Sequence, residues 1–336
     1  MGDLEFFSAK NFALQKGGSL PEALLGFKTW GTLSPARDNV IVSPTWFSGD
    51  HNGAEAALIG RDRALNPDKY FIVVPNLLGG GVSSSPSNTP APFERTRFPH
   101  TTLYDSVLLQ QLMLKERFGI DRIKAVVGWS LGAGQTFQWG AQYPDMVEAI
   151  VPLCGSSKTA HFNKVFLISL KRALELDPVF AKGFYTAPPL DGLKAFAAIY
   201  AGWGFSEPFF RMEEFRKMNA KTSEEFVEFY WEPAFIHHDA NNLLAMLWTW
   251  FNADISDSPA YGGDFDKALG EIKARTIILP GQYDAYFPPV DSVYEASKIP
   301  GAESRPIPST WGHMTLWNPD DRPFIDAAIN DALGTA

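Results

Sequence analysis

Gly128-Trp129-Ser130-Leu131-Gly132 places a serine between small residues, directly after the apolar run Ala125-Val126-Val127 and directly before a helical stretch. A sharp strand-to-helix turn needs small residues two positions either side of its apex, and it leaves the serine hydroxyl exposed at the end of the sheet. At neutral pH such a serine attacks a carbonyl only with a base beside it, and the base needs a carboxylate to orient it. Two downstream segments supply these groups. Arg275-Thr276-Ile277-Ile278-Leu279-Pro280-Gly281-Gln282-Tyr283-Asp284 reads as a buried strand, a turn and a carboxylate just past the strand's end. Ser309-Thr310-Trp311-Gly312-His313-Met314 puts a histidine after a glycine, in the loop that follows a short strand candidate near Arg305-Pro306-Ile307-Pro308. Ser130, Asp284 and His313 thus occur in the order serine, acid, histidine at carboxyl ends of strands, where open α/β sheets build their sites.

The elements that must position them alternate. Asn39–Pro44 and Tyr70–Pro75 read as strands, Thr102 to Phe118 as a helix with Leu103, Val107, Leu108, Leu112 and Leu114 along one side. A strand over Ile123–Val127 leads into Ser130, a helix runs to about Tyr143 and stops at Pro144, and Ala149–Leu153 is the next strand. Apolar β-branched strands alternating with helices imply a mostly parallel sheet covered on both faces. The rhythm breaks over the 120 residues from Gly155 to Ala274, where a simple crossover needs only a dozen or two. Helical stretches fill this region: Phe162–Leu176, Asp191–Trp203, Pro208–Asn219, Ser223–Tyr230 and Asn241–Asn252. The chain therefore divides into a core domain, residues 1–154 and 263–336, and an inserted helical lid, residues 155–262, that shapes a substrate pocket and excludes water.

Composition narrows the function classes. With 336 residues, 45% hydrophobic and 14% aromatic, the chain can bury a large core. A net charge of −9 and the absence of any basic run argue against nucleic acid as a partner. Cys154 is the single cysteine, so no disulfide can form within the chain. No apolar run is long enough to span a membrane and the start lacks a leader pattern, so a cytoplasmic protein is expected. Adjacent His237 and His238 beside Asp239 point to different sides and suit one metal badly. His51, His100 and His161 have no partners visible in sequence. Neither metal nor cofactor is expected.

Asp68–Gly81, Val126–Gln135 with Trp139–Asp145, Leu176-Asp177-Pro178, Gly183, Tyr185, Gly192-Leu193, Asp284–Pro289 and Gly312-His313 together resemble the homoserine O-acetyltransferase-like α/β-hydrolases. Asp68 to Gly81 looks like that family's strand and glycine-rich turn; Val126–Gln135 with Trp139–Asp145 is similar to its nucleophile region. Leu176-Asp177-Pro178, Gly183, Tyr185 and Gly192-Leu193 follow its lid pattern, while Asp284–Pro289 and Gly312-His313 follow its acid and histidine segments. The resemblance implies an α/β-hydrolase fold with an inserted helical lid, the triad Ser130, Asp284 and His313, and pairing of lids into a homodimer. It also places one oxyanion donor at the Phe47 amide, with Trp46 as the fallback; the Leu131 amide, just after the nucleophile, is the other.

The departures bear on the reaction. The homoserine enzymes carry an arginine shortly after the lid's Gly-Leu and an aspartate directly after the histidine; aligned positions here hold Ala197 and Met314. A zwitterionic amino acid taken from water needs both charges paired. Arg172 or Arg211 is the remaining candidate to replace the lost cation. Trp129 and Ala133 also stand where the transferases usually have glycines. The reading is a serine carboxylesterase acting on short-chain, acetate-type esters, with Trp46, Trp129 and Trp311 as candidate walls of a small apolar pocket. An O-acetyltransferase drawing on acetyl-CoA is the alternative, and a non-catalytic relative acting as a binding protein is a third.

Overall fold

An eight-stranded sheet organises residues 2–335, the part of the chain described by the computed structural model. Its strands are β1 (Glu5–Ala13), β2 (Ser19–Trp30), β3 (Val40–Val42), β4 (Phe71–Pro75), β5 (Ala125–Trp129), β6 (Ala149–Leu153), β7 (Arg275–Ile278) and β8 (Glu303–Ser304). The spatial order is β1-β2-β4-β3-β5-β6-β7-β8. β1–β2 and β2–β4 pair antiparallel, and every other pair is parallel. Strands β3 to β6 are buried along their whole length, which is why they read as unbroken apolar runs. Alternate residues feed two cores: Ala125, Val127 and Trp129 of β5 pack on one side, Val126 on the other.

The helices are α1 (His51–Leu58), α2 (Leu103–Phe118), α3 (Leu131–Gln142), α4 (His161–Leu176), α5 (Leu190–Gly204), α6 (Glu207–Arg211), α7 (Ser223–Phe226), α8 (Glu232–Phe235), α9 (Ala240–Phe251), α10 (Phe265–Gly270), α11 (Pro289–Lys298) and α12 (Arg322–Ala332). Helix α2 starts on a capping box between Thr102 and Asp105 and ends at Gly119 in a left-handed conformation, φ 63°. Helices α4 to α9 all fall between β6 and β7, and their aromatic faces join the same core as the triad side of the sheet.

Before Asn39, where the sequence pattern names no element, β1 and β2 form a nine- and a twelve-residue ribbon at the sheet edge. β1 is exposed or half-buried at all but one position, so polar and apolar residues mix along it, and Pro21 and Gly26 interrupt the apolar signal of β2. Four expectations need correction. The strand at Ile123–Val127 begins two residues later and runs to Trp129. The pairing near Arg305–Pro308 lies instead at Glu303–Ser304, because Pro306 and Pro308 have no N–H to offer; only Ile307 makes a further bridge, to Gly281. The helix at Pro208–Asn219 breaks at Glu213, φ 53°, into α6 and a 3₁₀ turn, and that at Ser223–Tyr230 passes from α7 into a π turn. On a straight helix Phe209 and Phe215, six residues apart, would point about 120° from each other. The break lets both bury in one core.

Candidate active site

Ser130 sits at the apex between β5 and α3 with φ 59° and ψ −126°, a conformation that costs a non-glycine residue about 1–3 kcal/mol. The surrounding packing enforces it. A Cβ on Gly128 would lie 2.2 Å from the Gly132 carbonyl oxygen, and one on Gly132 would lie 2.5 Å from the Pro44 carbonyl oxygen. The Ser130 N–H donates to the Leu153 carbonyl of β6 at 2.9 Å, which ties the turn to the next strand.

The three separated residues meet here. His313 Nε2 lies 2.9 Å from Ser130 Oγ, and His313 Nδ1 lies 2.8 Å from Asp284 Oδ2. The other carboxylate oxygen of Asp284 accepts the N–H groups of Tyr286 (2.8 Å) and Phe287 (3.0 Å), so the acid cannot rotate. Side-chain burial is nearly complete: Ser130 is 2% exposed, Asp284 4% and His313 0%. The imidazole is held between aromatic rings. Trp129 stacks on it at 4.7 Å and donates its Nε1–H to the His313 carbonyl at 3.2 Å; Tyr286 lies at 4.6 Å and Phe287 at 5.6 Å.

A second buried network fixes the loop opposite the serine. Trp139 Nε1 donates to Gln110 Oε1 (2.8 Å), Gln110 Nε2 donates to Gln135 Oε1 (2.7 Å), and Gln135 Nε2 donates to the Thr45 carbonyl (2.7 Å). All four residues are fully buried, and the donors run in one direction, an arrangement in which each bond polarises the next. Thr45 also donates its N–H to Pro75 and accepts from Leu77. The amides of Leu131 and Phe47 make no hydrogen bond with other described residues: Leu131 is the first residue of α3, whose N–H has no partner within the helix, and Phe47 lies in the turn from Trp46 to Gly49. The Trp46 amide is equally free, so both donors named for this loop remain available.

The tryptophans divide their roles. Trp46 and Trp129 pack edge-on at 5.0 Å, and Trp317 completes that cluster. Trp311 packs instead on Phe205 and Phe209 of the insertion. Sequence reading missed the rings that reach both Phe47 and the triad. Phe47 stacks with Phe196 and Tyr200 of α5 and meets Trp250 of α9; Tyr200 and Trp250 in turn contact Tyr286. Only the aromatic content of the insertion signalled them.

Ala197 is wholly buried and Met314 is 8% exposed, both within the apolar core. Arg172 is exposed on α4, and exposed Arg211 pairs with Glu207, so neither arginine is turned toward the core. Cys154 is buried beside the site, where desolvation and then Asp284 push its thiol far up; it is no nucleophile at neutral pH. Asp239 is occupied structurally, capping α9 through Asn242 and accepting from Tyr185. Among the described residues no group of three or more His, Cys, Asp and Glu side chains could hold a metal ion.

A mostly parallel sheet, a strained serine between β5 and α3, and a hydrogen-bonded Ser–His–Asp set in that chain order define a serine hydrolase architecture. Residues 59–320 match the family described as the alpha/beta hydrolase fold, and the chain belongs to that family. It is 36% identical to a probable esterase of Corynebacterium glutamicum, covering 98% of this chain and 95% of that one. It is also 36% identical to the ethyl acetate hydrolase of Pseudomonas veronii, covering 99% and 96%. The solved structure of the acetyl esterase MekB superposes with a TM-score of 0.97 at 35% identity, covering 99% and 97%. A homoserine O-acetyltransferase of Nostoc punctiforme is more distant, at 29% identity over 96% and 92%.

Proposed function

We propose that this protein is a serine carboxylesterase that hydrolyses short-chain, acetate-type esters through an acyl-serine intermediate. The observation that carries the reading is the continuous Ser130–His313–Asp284 hydrogen-bond chain, buried under aromatic side chains and with two free amides nearby. Relatives named for ethyl acetate hydrolysis and acetyl ester cleavage support the substrate class.

His313 Nε2 takes the Ser130 proton as Oγ attacks the ester carbonyl. Asp284 keeps the proton on Nδ1 and stabilises the imidazolium. The Leu131 and Phe47 amides receive the oxyanion, each donor contributing roughly 3 kcal/mol to the transition state. His313 returns the proton to the departing alcohol, then takes one from water as it attacks the acyl-enzyme. Burial of Ala197 and Met314 in apolar surroundings leaves no charge at those two positions for a zwitterionic acceptor, which favours water over homoserine.

The insertion, residues 155–262, acts as a lid over residues 1–154 and 263–336. The protein works in the cytoplasm as a homodimer paired through that lid. Phe162, Val165 and Leu176, on one side of α4, are 54%, 62% and 79% exposed, an apolar stripe that a second copy would cover. Acetyl release from p-nitrophenyl acetate and from acetyl-CoA, each with and without homoserine, tests the reaction. Ester hydrolysis with inert acetyl-CoA, lost at least about a thousandfold in Ser130→Ala, is the expected result. Turnover of acetyl-CoA only with homoserine present would replace the esterase by a transferase.

A further inference from the structure

Helices α4 and α9 turn another side toward a cleft of about 450 Å³, closed by the 86–100 loop. That volume lies in the range of small-molecule sites. On α4 the cleft-facing residues Leu167, Lys171 and Glu175 lie roughly a third of a turn from the exposed stripe. The floor is apolar and aromatic, built from Phe98, Leu167, Trp248 and Phe251. Trp248 is covered on one face by the His100 imidazole, 4.1 Å away and nearly parallel.

Arg95 and Lys171 border this floor. Among the described residues Arg95 has no carboxylate within 4.0 Å; its guanidinium makes one long hydrogen bond, 3.4 Å, to the Tyr185 carbonyl and lies 5.8 Å from the centre of the Phe184 ring. Lys171 has only Glu175, 3.7 Å away and one turn along the same helix. Burial and then the neighbouring Lys171 hold the His100 pKa below the ordinary value. Both cations leave positive charge beside an aromatic floor, on a chain whose net charge is −9.

We propose that this cleft binds an amphipathic carboxylate: an apolar chain on Trp248 and Phe251, its carboxylate between Arg95 and Lys171. The binding claim stands on the cleft alone; that such a ligand shares its carboxylate, but not its chain length, with the product of the enzyme rests on the esterase reading. The cleft is separate from the triad, but its two walls reach it. Behind the cleft, Trp250 of α9 meets Phe47 at 5.7 Å and Phe287 at 5.4 Å, and Phe166 of α4 stacks on Tyr286 at 4.7 Å.

The test is calorimetric titration of sodium octanoate into the full-length protein after Ser130 has been blocked with diethyl p-nitrophenyl phosphate, with sodium acetate as control. Mass spectrometry reads the block separately, so failure of the esterase reading shows as absent labelling whatever octanoate does. Saturable octanoate binding to the blocked protein is expected, with no binding of acetate. Arg95→Glu with Lys171→Glu, both at the surface, should weaken it at least about tenfold. Trp248→Leu should weaken it while leaving the charges in place. No saturable binding up to about 10 mM, or equal affinity in the charge-reversed protein, would overturn the proposal. So would a shift from dimer to monomer on charge reversal, which would make a second copy the occupant.

Discussion

Gln135→Leu isolates the contribution of the buried amide relay to catalysis. Leucine is close to glutamine in size, so the main change is chemical. The Thr45 carbonyl loses its donor at 2.7 Å and Gln110 Nε2 loses its acceptor at 2.7 Å, both in fully buried surroundings. Two unpartnered buried groups at about 1–3 kcal/mol each, partly offset by the apolar side chain, predict a stability loss of about 2–4 kcal/mol. Thr45 stands two residues before Phe47. If the relay holds the Phe47 amide in place, releasing it forfeits part of one oxyanion donor, whose full loss costs about 10²–10³ in kcat. The expected outcome is a fall in kcat of about ten- to a hundredfold on p-nitrophenyl acetate with KM nearly unchanged, because the oxyanion exists only in the transition state. Gln110→Leu is the matched control. It strands Trp139 Nε1 and Gln135 Oε1, at a similar stability cost, but keeps the Gln135–Thr45 bond. Its kcat should fall much less. Equal kcat losses in the two variants, measured well below both unfolding midpoints, would refute the positioning role and leave the relay as core structure alone.

Three further outcomes follow from the geometry. Asp284→Asn should lower kcat by about 10⁴: the Tyr286 and Phe287 N–H groups hold the amide oxygen, so its NH₂ faces His313 Nδ1 and forces the wrong tautomer, as a pH–rate profile on the ester would report. Gly132→Ala drives a methyl to 2.5 Å from the Pro44 carbonyl and should displace the Thr45–Phe47 loop, lowering kcat by more than tenfold and the unfolding midpoint by several degrees. Glu295, buried on α11 with its Oε1 accepting from the Ser157 N–H and hydroxyl, is pushed up to about 8, mainly by burial. A carboxyl whose pKa rises on folding stabilises the fold below its unfolded pKa, and that contribution is lost as pH climbs through about 8. Glu295→Gln should therefore flatten the fall in unfolding free energy between pH 5 and 8, measured by urea denaturation; an unchanged slope would show that Glu295 does not titrate there.

The sheet's centre and the site's reactive groups were legible because each leaves a local mark. Parallel strands buried on both faces are unbroken apolar runs, as β3 to β6 are. A tight strand-to-helix turn demands small residues in fixed places, as Gly128 and Gly132 stand around Ser130. Helices α2, α4, α5 and α9 carry a period or a cap that survives without context. The edge ribbon was hidden because β1 is exposed or half-buried at all but one position and Pro21 and Gly26 interrupt the apolar signal of β2, and the break at Glu213 because it answers the burial of two phenylalanines rather than any local preference. The amide relay and the rings of Tyr200, Trp250 and Tyr286 were invisible for a different reason: their partners are 25 to 90 residues apart or more in the chain, and nothing in a glutamine or a tyrosine announces which backbone it will meet. Residue type and spacing alone determined which chemistry this chain can perform. Tertiary packing decided how that chemistry is aimed, because the distances among Ser130, His313, Asp284 and Thr45 exist only once the sheet has brought the ends of its strands together.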